Sequence, residues 1–263
     1  MEIIAYLASA LIGISLGLIG GGGSILTVPV MVYLFGVNPL LATSYSLFIV
    51  GTTSLAGAYQ NFLHNLVNIK IALLFGLSSI TTVFVIRKFL VPIIPKHLFS
   101  IGSFQVTLNM VTMVLFALLM LVASFSMIKD KAVIETKSRA YSGHTLKLLY
   151  YGVGIGFATG LLGAGGGFLL IPTLVILLGL PMKEAVGTSL LIIAMNSLVG
   201  FTGDLGHFEI EWFFLFTVTG IALAGLFVGI FLSKKFDGSK LKKGFGWFVL
   251  IMGGFILTKE LLQ

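Results

Sequence analysis

Ten apolar runs separated by short polar stretches leave this chain few folds to choose from. They are Ile3–Ile19, Ser24–Phe35, Leu40–Tyr59, Ile69–Ile86, Leu98–Phe125, Leu148–Leu162, Phe168–Leu180, Ala185–Phe201, Trp212–Leu232 and Phe245–Leu257. A helix needs roughly 20 apolar residues to cross the hydrocarbon of a bilayer, and many of these runs approach that length. They are continuous, not alternating as lipid-facing barrel strands must be. Only 10% of the 263 residues are charged and the mean hydropathy is +1.11, too little charge to keep a soluble domain of this size in water. The expected class is therefore an all-α integral membrane protein. The first run resembles a signal peptide but has Glu2 where a basic region belongs, so it reads as a retained helix.

The second and seventh runs are too short for a full crossing and suit a broken or hairpin helix. Each follows a glycine cluster and contains a proline, Pro29 or Pro172. Irregular backbone at membrane depth survives only where protein or a wet cavity satisfies its polar groups. These two segments are copies of each other. GLIGGGGSILTVPVMVYLFG from Gly17 aligns with GLLGAGGGFLLIPTLVILLG from Gly160, an offset of 143 residues (17 to 160). At that offset Gly20, Gly22, Gly23, Pro29, Gly36, Ala42, Ser46, Ser54, Gly57 and His64 meet Gly163, Gly165, Gly166, Pro172, Gly179, Ala185, Ser189, Ser197, Gly200 and His207. Apolar composition alone does not match Gly, Pro, Ser and His in one register. Internal repeats of this size build many secondary transporters. The chain divides into a first repeat over residues 1–126, a basic linker over 127–147 and a second repeat over 148–263, with about five helical elements per repeat.

Basic residues outnumber acidic ones by 16 to 9, and most lie between apolar runs. That is the charge pattern of membrane loops and gives no reason to expect nucleic acid. Residues 127–147 hold five basic and two acidic side chains, and residues 233–243 hold five lysines and one Asp. Cytoplasmic loops collect Lys and Arg, so both segments are expected inside. An odd number of crossings per repeat then inverts the second repeat relative to the first. The N-terminus and the stretch Asp204–Glu211 fall outside. Arg87, Lys88 and Lys96 fall outside as well, against the charge rule.

At the paired glycine motifs the chain resembles the sulfite exporter (TauE/SafE) family of membrane proteins. The carriers of the resemblance are Gly17–Ser24 with Pro29 and Gly160–Gly167 with Pro172, each followed by a small-residue segment, Ala42-Thr-Ser-Tyr-Ser46 or Ala185-Val-Gly-Thr-Ser189. The resemblance spans nearly the whole chain. It implies a permease for sulfite, sulfonates or related organic anions, and it implies transport more firmly than it implies sulfite. Tyr45 stands where the second half has Thr188, so the two halves are unequal in any shared polar site.

An anion entering the membrane must exchange water for other donors. Glycines let a ligand approach the backbone closely, and helix N-termini offer free N–H groups. Gly22, Gly23 and Ser24 with Gly165, Gly166 and Gly167 are thus candidate substrate contacts. The competing reading is that these glycines permit close helix packing. Thr43, Ser44, Ser46, Thr188, Ser189 and Asn196 are candidate neutral donors, with ordinary interhelical hydrogen bonding as their alternative. His64, His207 and Asp204 are candidates for gating or proton coupling, the histidines otherwise being helix caps and Asp204 a boundary residue. No Arg or Lys is expected near the breaks.

A secondary carrier for a small anion, sulfite or an organosulfonate-type anion, is the leading expectation. A passive anion channel is the alternative, and an intramembrane enzyme is a distant one. The sequence has no cysteine and no HExxH, and its four histidines form no ligand cluster, so neither cofactor nor metal is expected. The expected partners are the anion and membrane lipid, not nucleic acid, in a multi-pass protein of the plasma or inner membrane, and a homo-oligomer is compatible with this reading.

Overall fold

The structure is a computed structural model that describes residues 2–95, 97–101, 104–129, 145–163, 165–233 and 238–262. Most of the expected basic linker (130–144), together with Lys96, Lys234 and Lys235, lies outside the described residues. The described residues are almost wholly helical. Helix α1 is Glu2–Ile19; a 3-10 segment, Gly21–Leu26, runs into α2, Thr27–Tyr33. Then come α3 (Pro39–Leu63) and α4 (Ile69–Val85), which continues through a π turn (Ile86–Leu90) into α5 (Val91–Ile93). A hairpin of β1 (His97–Ile101) and β2 (Phe104–Thr107) leads to α6 (Leu108–Ile128). The second half holds α7 (Thr145–Leu162), α8 (Gly167–Pro172) with a π turn (Thr173–Leu177), α9 (Met182–Asp204), α10 (Trp212–Ser233) and α11 (Gly238–Leu262). Among the described residues six helices are long and apolar enough to cross a membrane, and α1, α2 and α7 contribute shorter apolar helices.

The repeat is visible in the element bounds. Adding 143 to Glu2–Ile19 gives residues 145–162, the bounds of α7, and adding it to the first residues of α3 and α4 gives the first residues of α9 and α10. Local signals explain several of these starts. Asn38 accepts a hydrogen bond from Leu40 N with Pro39 in the first turn, and Asn68 accepts one from Ile71 N.

Two sequence expectations are corrected. The fifth run does not begin as a helix: His97–Ile101 and Phe104–Thr107 pair as two antiparallel strands. Polar Ser100, Gln105 and Thr107 interrupt its apolar pattern, while the aromatic and β-branched residues of the two strands favour pairing. The fourth helix does not stop at Ile86 but continues to Ile93. Pro92 has no N–H to donate to the carbonyl four residues back, and the ladder widens, Val91 N donating to Ile86 O, five residues away.

Glycines set the packing register. On α1 and α10, Gly13, Gly17, Gly225 and Gly229 lie on facing backbone: a methyl on Gly13 would strike Ala222 and Leu226, one on Gly17 would strike Leu226 and Ile230, and one on Gly225 would strike Ala10. Contacts therefore advance together along the two helices, which run parallel. On α7, Gly152, Gly156 and Gly160 face Phe75 and Ser79 of α4 and Ile86 of the π turn that continues it, also in parallel. Small residues at such spacing are how helices approach in a membrane, where lipid is as apolar as Leu. The equivalent helices α3 and α9 instead run antiparallel, with Gly57 facing Leu190, Gly51 facing Leu198 and Gly200 facing Leu47. Helix α1 of one half pairs with α10 of the other, and α7 with α4. The registers place the starts of α3 and α6 and the ends of α4 and α9 at one end of the bundle. The start of α7 and the end of α10, which flank the two basic segments, share the other end.

Polarity is arranged for lipid. Phe213, Leu77, Phe216, Ile251 and Phe231 point outward, whereas Ser24, Thr27, Thr43, Ser44, Ser46, Ser54, Thr188 and Ser189 are buried.

Candidate functional site

The two glycine breaks meet in the middle of the molecule. Gly21 and Gly167 lie backbone to backbone, so that a methyl on Gly21 would come within 2.8 Å of Gly167 Cα. The breaks are built differently. In the first half Gly20 (φ +77°) precedes a 3-10 segment; in the second, Gly163, Gly165 and Gly166 all adopt positive φ near +67° before α8 begins. An L-residue rarely adopts that conformation, which is why glycine occupies these positions.

Beside the second break lies a charged pair. Arg87, from the π turn after α4, and Asp204, the last residue of α9, are each 1% exposed. Arg87 Nη1 donates to Asp204 Oδ2 at 3.1 Å and to Thr43 Oγ1 at 3.0 Å. The other two guanidinium nitrogens, Nε and Nη2, have no hydrogen-bond partner, nor has Asp204 Oδ1. Ser44 Oγ lies close to the Asp204 carboxylate without hydrogen-bond geometry. A methyl on Gly163 would strike Thr43 and lie 2.8 Å from Arg87 Nη2, so the open face of the guanidinium lies against the break. A buried charge is expensive unless paired and hydrogen-bonded, and this pair is held by one contact, not by a two-pronged fork.

The expectation that no Arg or Lys approaches the breaks is thus corrected. An apolar run that ends at Ile86 leaves Arg87 beyond the helix, although Phe89, Leu90 and Val91 resume the run at once. Its position against the charge rule was the signal in the sequence.

The remaining candidates are distributed as follows. Thr43 and Ser44 join the charged pair. Gly165 lies by Val50 and 3.3 Å from Ser197 Oγ on the path of an added methyl, and Gly166 faces Thr159 Oγ1. The hydroxyls of Ser46, Ser54, Thr159 and Ser197 are buried without partners. Gly23 packs against Ser15 and Leu16 of α1, and Ser24 Oγ donates to Gly21 O in its own turn. Gly22 sits within the 3-10 segment. Thr188 Oγ1 accepts from Asn68 N, Ser189 Oγ donates to Val186 O, and Asn196 Nδ2 donates to Ser79 Oγ. His64 ends α3, its Nδ1 2.8 Å from Gln60 O, at the far end from Asp204. His207 is exposed three residues beyond Asp204, its N–H donating to Asp204 O. At that same end a cleft of about 640 Å³ opens between the start of α3 (Asn38, Leu40, Leu41), the start of α6 (Leu108, Asn109) and residues 208–211, with Glu209 and Glu211 in its wall.

The sulfite exporter TauE/SafE family model matches residues 5–256. A probable membrane transporter protein of Xylella fastidiosa strain 9a5c is 28% identical over 98% of this chain and 95% of its own length. The probable membrane transporter protein YunE of Bacillus subtilis is 27% identical over 89% of this chain and 90% of its own. No solved structure matches the chain.

Proposed function

We propose that this chain, which belongs to the sulfite exporter TauE/SafE family of membrane transporters, works as a secondary carrier for a small anion, with sulfite or an organosulfonate-type anion as the substrate class. The observation that carries this reading is Arg87: a fully buried cation with two unpartnered donor nitrogens, set against a glycine break. Ionisable groups inside transmembrane bundles are rare because they are costly, and they mark transport pathways. Thr43 and Ser44 add neutral donors. The unpartnered hydroxyls of Ser46, Thr159 and Ser197, and Gly165 and Gly166 beside them, extend a polar track toward the centre.

In this reading residues 1–126 and 148–263 lie inverted across the plasma or inner membrane, with the basic linker 127–147 in the cytoplasm. The antiparallel pairing of the equivalent helices α3 and α9 supports it, as does the common end shared by the flanks of both basic segments. The Arg87–Asp204 pair then lies toward the outer side. Cysteines introduced at Lys147 and Lys243 should label from the cytoplasm and one at His207 from outside; labelling of 147 and 243 from opposite faces sinks the inversion.

Flux into proteoliposomes from a panel of sulfite, sulfate, methanesulfonate and acetate tests the function. The expected result is uptake of at least one sulfur oxyanion by the wild type and its loss in the Arg87→Gln/Asp204→Asn double variant. Full flux in that variant removes Arg87 from the pathway.

A further inference from the structure

We propose that Asp204 is the proton carrier of the transport cycle: its carboxylate takes up a proton as the anion replaces it on Arg87, so that one monovalent anion moves with one proton. The inference rests on the reading of Arg87 as the anion site.

The argument begins with charge. The resting pair is neutral, Arg87 balanced by Asp204, and both groups are withdrawn from water. A monovalent anion entering beside them makes two negative charges against one positive in a buried site. Like charges sharing a site cannot both persist cheaply, and the more basic of the two anionic groups, the Asp204 carboxylate beside a sulfonate, takes a proton from water. The anion keeps Arg87, and a new O–H bond forms on Asp204. The loaded site then holds Arg87 as a cation, the anion and a neutral Asp204, again with no net charge. When the anion leaves, Asp204 loses its proton and returns to Arg87. A monovalent anion thus crosses with one proton and no net movement of charge.

The geometry suits an exchange. One nitrogen of Arg87 meets one oxygen of Asp204, while Nε, Nη2 and the second carboxylate oxygen remain without partners. A pair built only for stability would close these contacts. Of the open donors, Nη2 faces Gly163, which has no side chain to cover it. On the other side Ser44 lies close to the carboxylate, a neutral group able to accept from a protonated Asp204.

A proton also has a route. Around the Asp204 carboxylate lie Arg87 from the extension of α4, Ser44 from α3 and His207 from the following turn; Thr43 and Gly163 lie against Arg87, and the backbone N of Lys88 lies beside Gly203, the residue before Asp204. His207 is exposed, and Glu209 and Glu211 line the cleft beyond it. An acidic mouth repels the anion but gathers protons, and chains of Asp, Glu and His are how proton relays in transporters are built.

The test uses full-length protein and methanesulfonate, whose charge does not change near neutral pH, with sulfite as a second probe. Wild-type affinity for methanesulfonate should weaken about tenfold per unit rise in pH, the slope for one proton bound with one anion. Mixing protein and methanesulfonate in weakly buffered detergent should consume one proton per site. Asp204→Asn should bind with a flat pH profile and exchange anion across liposomes, yet fail to accumulate it under an inward proton gradient. Wild-type binding that is independent of pH with no proton uptake overturns the proposal. So does a pH slope retained in Asp204→Asn, which would assign the proton to His207, Glu209 or Glu211. Wild-type affinity in the Arg87→Gln/Asp204→Asn double variant, or no binding of either probe to the wild type, instead refutes Arg87 as the anion site, and the proposal falls with it.

Discussion

At equivalent places in the two repeats, the glycine that opens each break is surrounded by different chemistry. Gly163 has Thr43, Ser44, Arg87 and Asp204 around it. Subtracting or adding 143 gives the corresponding positions: Gly20, Val186, Gly187, Ile230 and Asn61. The backbone is shared at the first glycine of each break, where Gly20 and Gly163 both have positive φ and a methyl on Gly20 would meet Val186 as one on Gly163 would meet Thr43, and it diverges after that, into a 3-10 segment in one half and two further positive-φ glycines in the other. The charge is not shared. Asn61 donates to Gly57 O in its own helix, and Ile230 packs among apolar neighbours. Duplication supplied two scaffolds, and only one holds a charged pair. If Arg87 holds the anion as proposed, binding is confined to one of the two places, and the apolar twin is a built-in control for what the scaffold does by itself.

The sharpest way to break that comparison is to remove one charge. Arg87→Gln leaves Asp204 buried without its counter-ion, and breaking a buried pair from one side costs roughly 3–5 kcal/mol. A large fall in thermal stability in detergent is expected, with complete loss of methanesulfonate binding. The double variant Arg87→Gln/Asp204→Asn should recover most of the stability and none of the binding. At the twin site Ile230→Leu should move stability by less than about 1.5 kcal/mol and leave binding intact. Equal binding losses at the two places would make the charged pair incidental.

A smaller effect comes from the breaks themselves. In Gly163→Ala the backbone must hold φ near +66°, a strain of roughly 1–2 kcal/mol for an L-residue, and the methyl pushes on Thr43 and the Arg87 guanidinium. Gly20→Ala carries similar strain (φ +77°) but meets only Val186 Cγ1 at 2.7 Å. Both variants should melt lower, but only Gly163→Ala should also lose anion affinity. Thr43→Val then removes one hydrogen bond to a charged group, worth about 1.5–3 kcal/mol, and should weaken methanesulfonate binding while Asp204 keeps Arg87 in place. Titration calorimetry on the purified variants separates the affinity change from the stability change.

The scaffold was legible because its causes are local or periodic. Apolar run length marked the helices, and a register shared by Gly, Pro, Ser and His marked the repeat. The paired strands His97–Ile101 and Phe104–Thr107 were missed because their apolar content hid a change of period. The site was only half legible. Thr43, Ser44 and Asp204 were candidates from residue type and position, but what joins them is tertiary. Arg87 is 117 positions from Asp204 and 44 from Thr43, and it sits in a π turn that no run length reveals. Gly23 shows the reverse limit. Its place in the motif made it a candidate ligand contact, whereas its open side is filled by Ser15 and Leu16, so a methyl there tests packing against α1.

The smallest predicted effect is the one on which the twins should agree. Gly36 and Gly179 are repeat partners in the turns after the two short helices, with φ +69° and +67°, and a methyl on either meets nothing within 4 Å. Substitution by alanine therefore adds strain without a clash. Each change should cost about 1 kcal/mol, the left-handed penalty partly offset by the lower entropy of an unfolded alanine. Neither turn touches Arg87 or Asp204, so flux and its pH dependence should stay at the wild-type level in both variants. Thermal unfolding of Gly36→Ala and Gly179→Ala side by side measures whether the two scaffolds bear equal local strain. If one variant loses several times more stability than the other, the backbones differ as well as the charges, and the contrast between the polar and apolar sites can no longer be read as charge alone on a common frame.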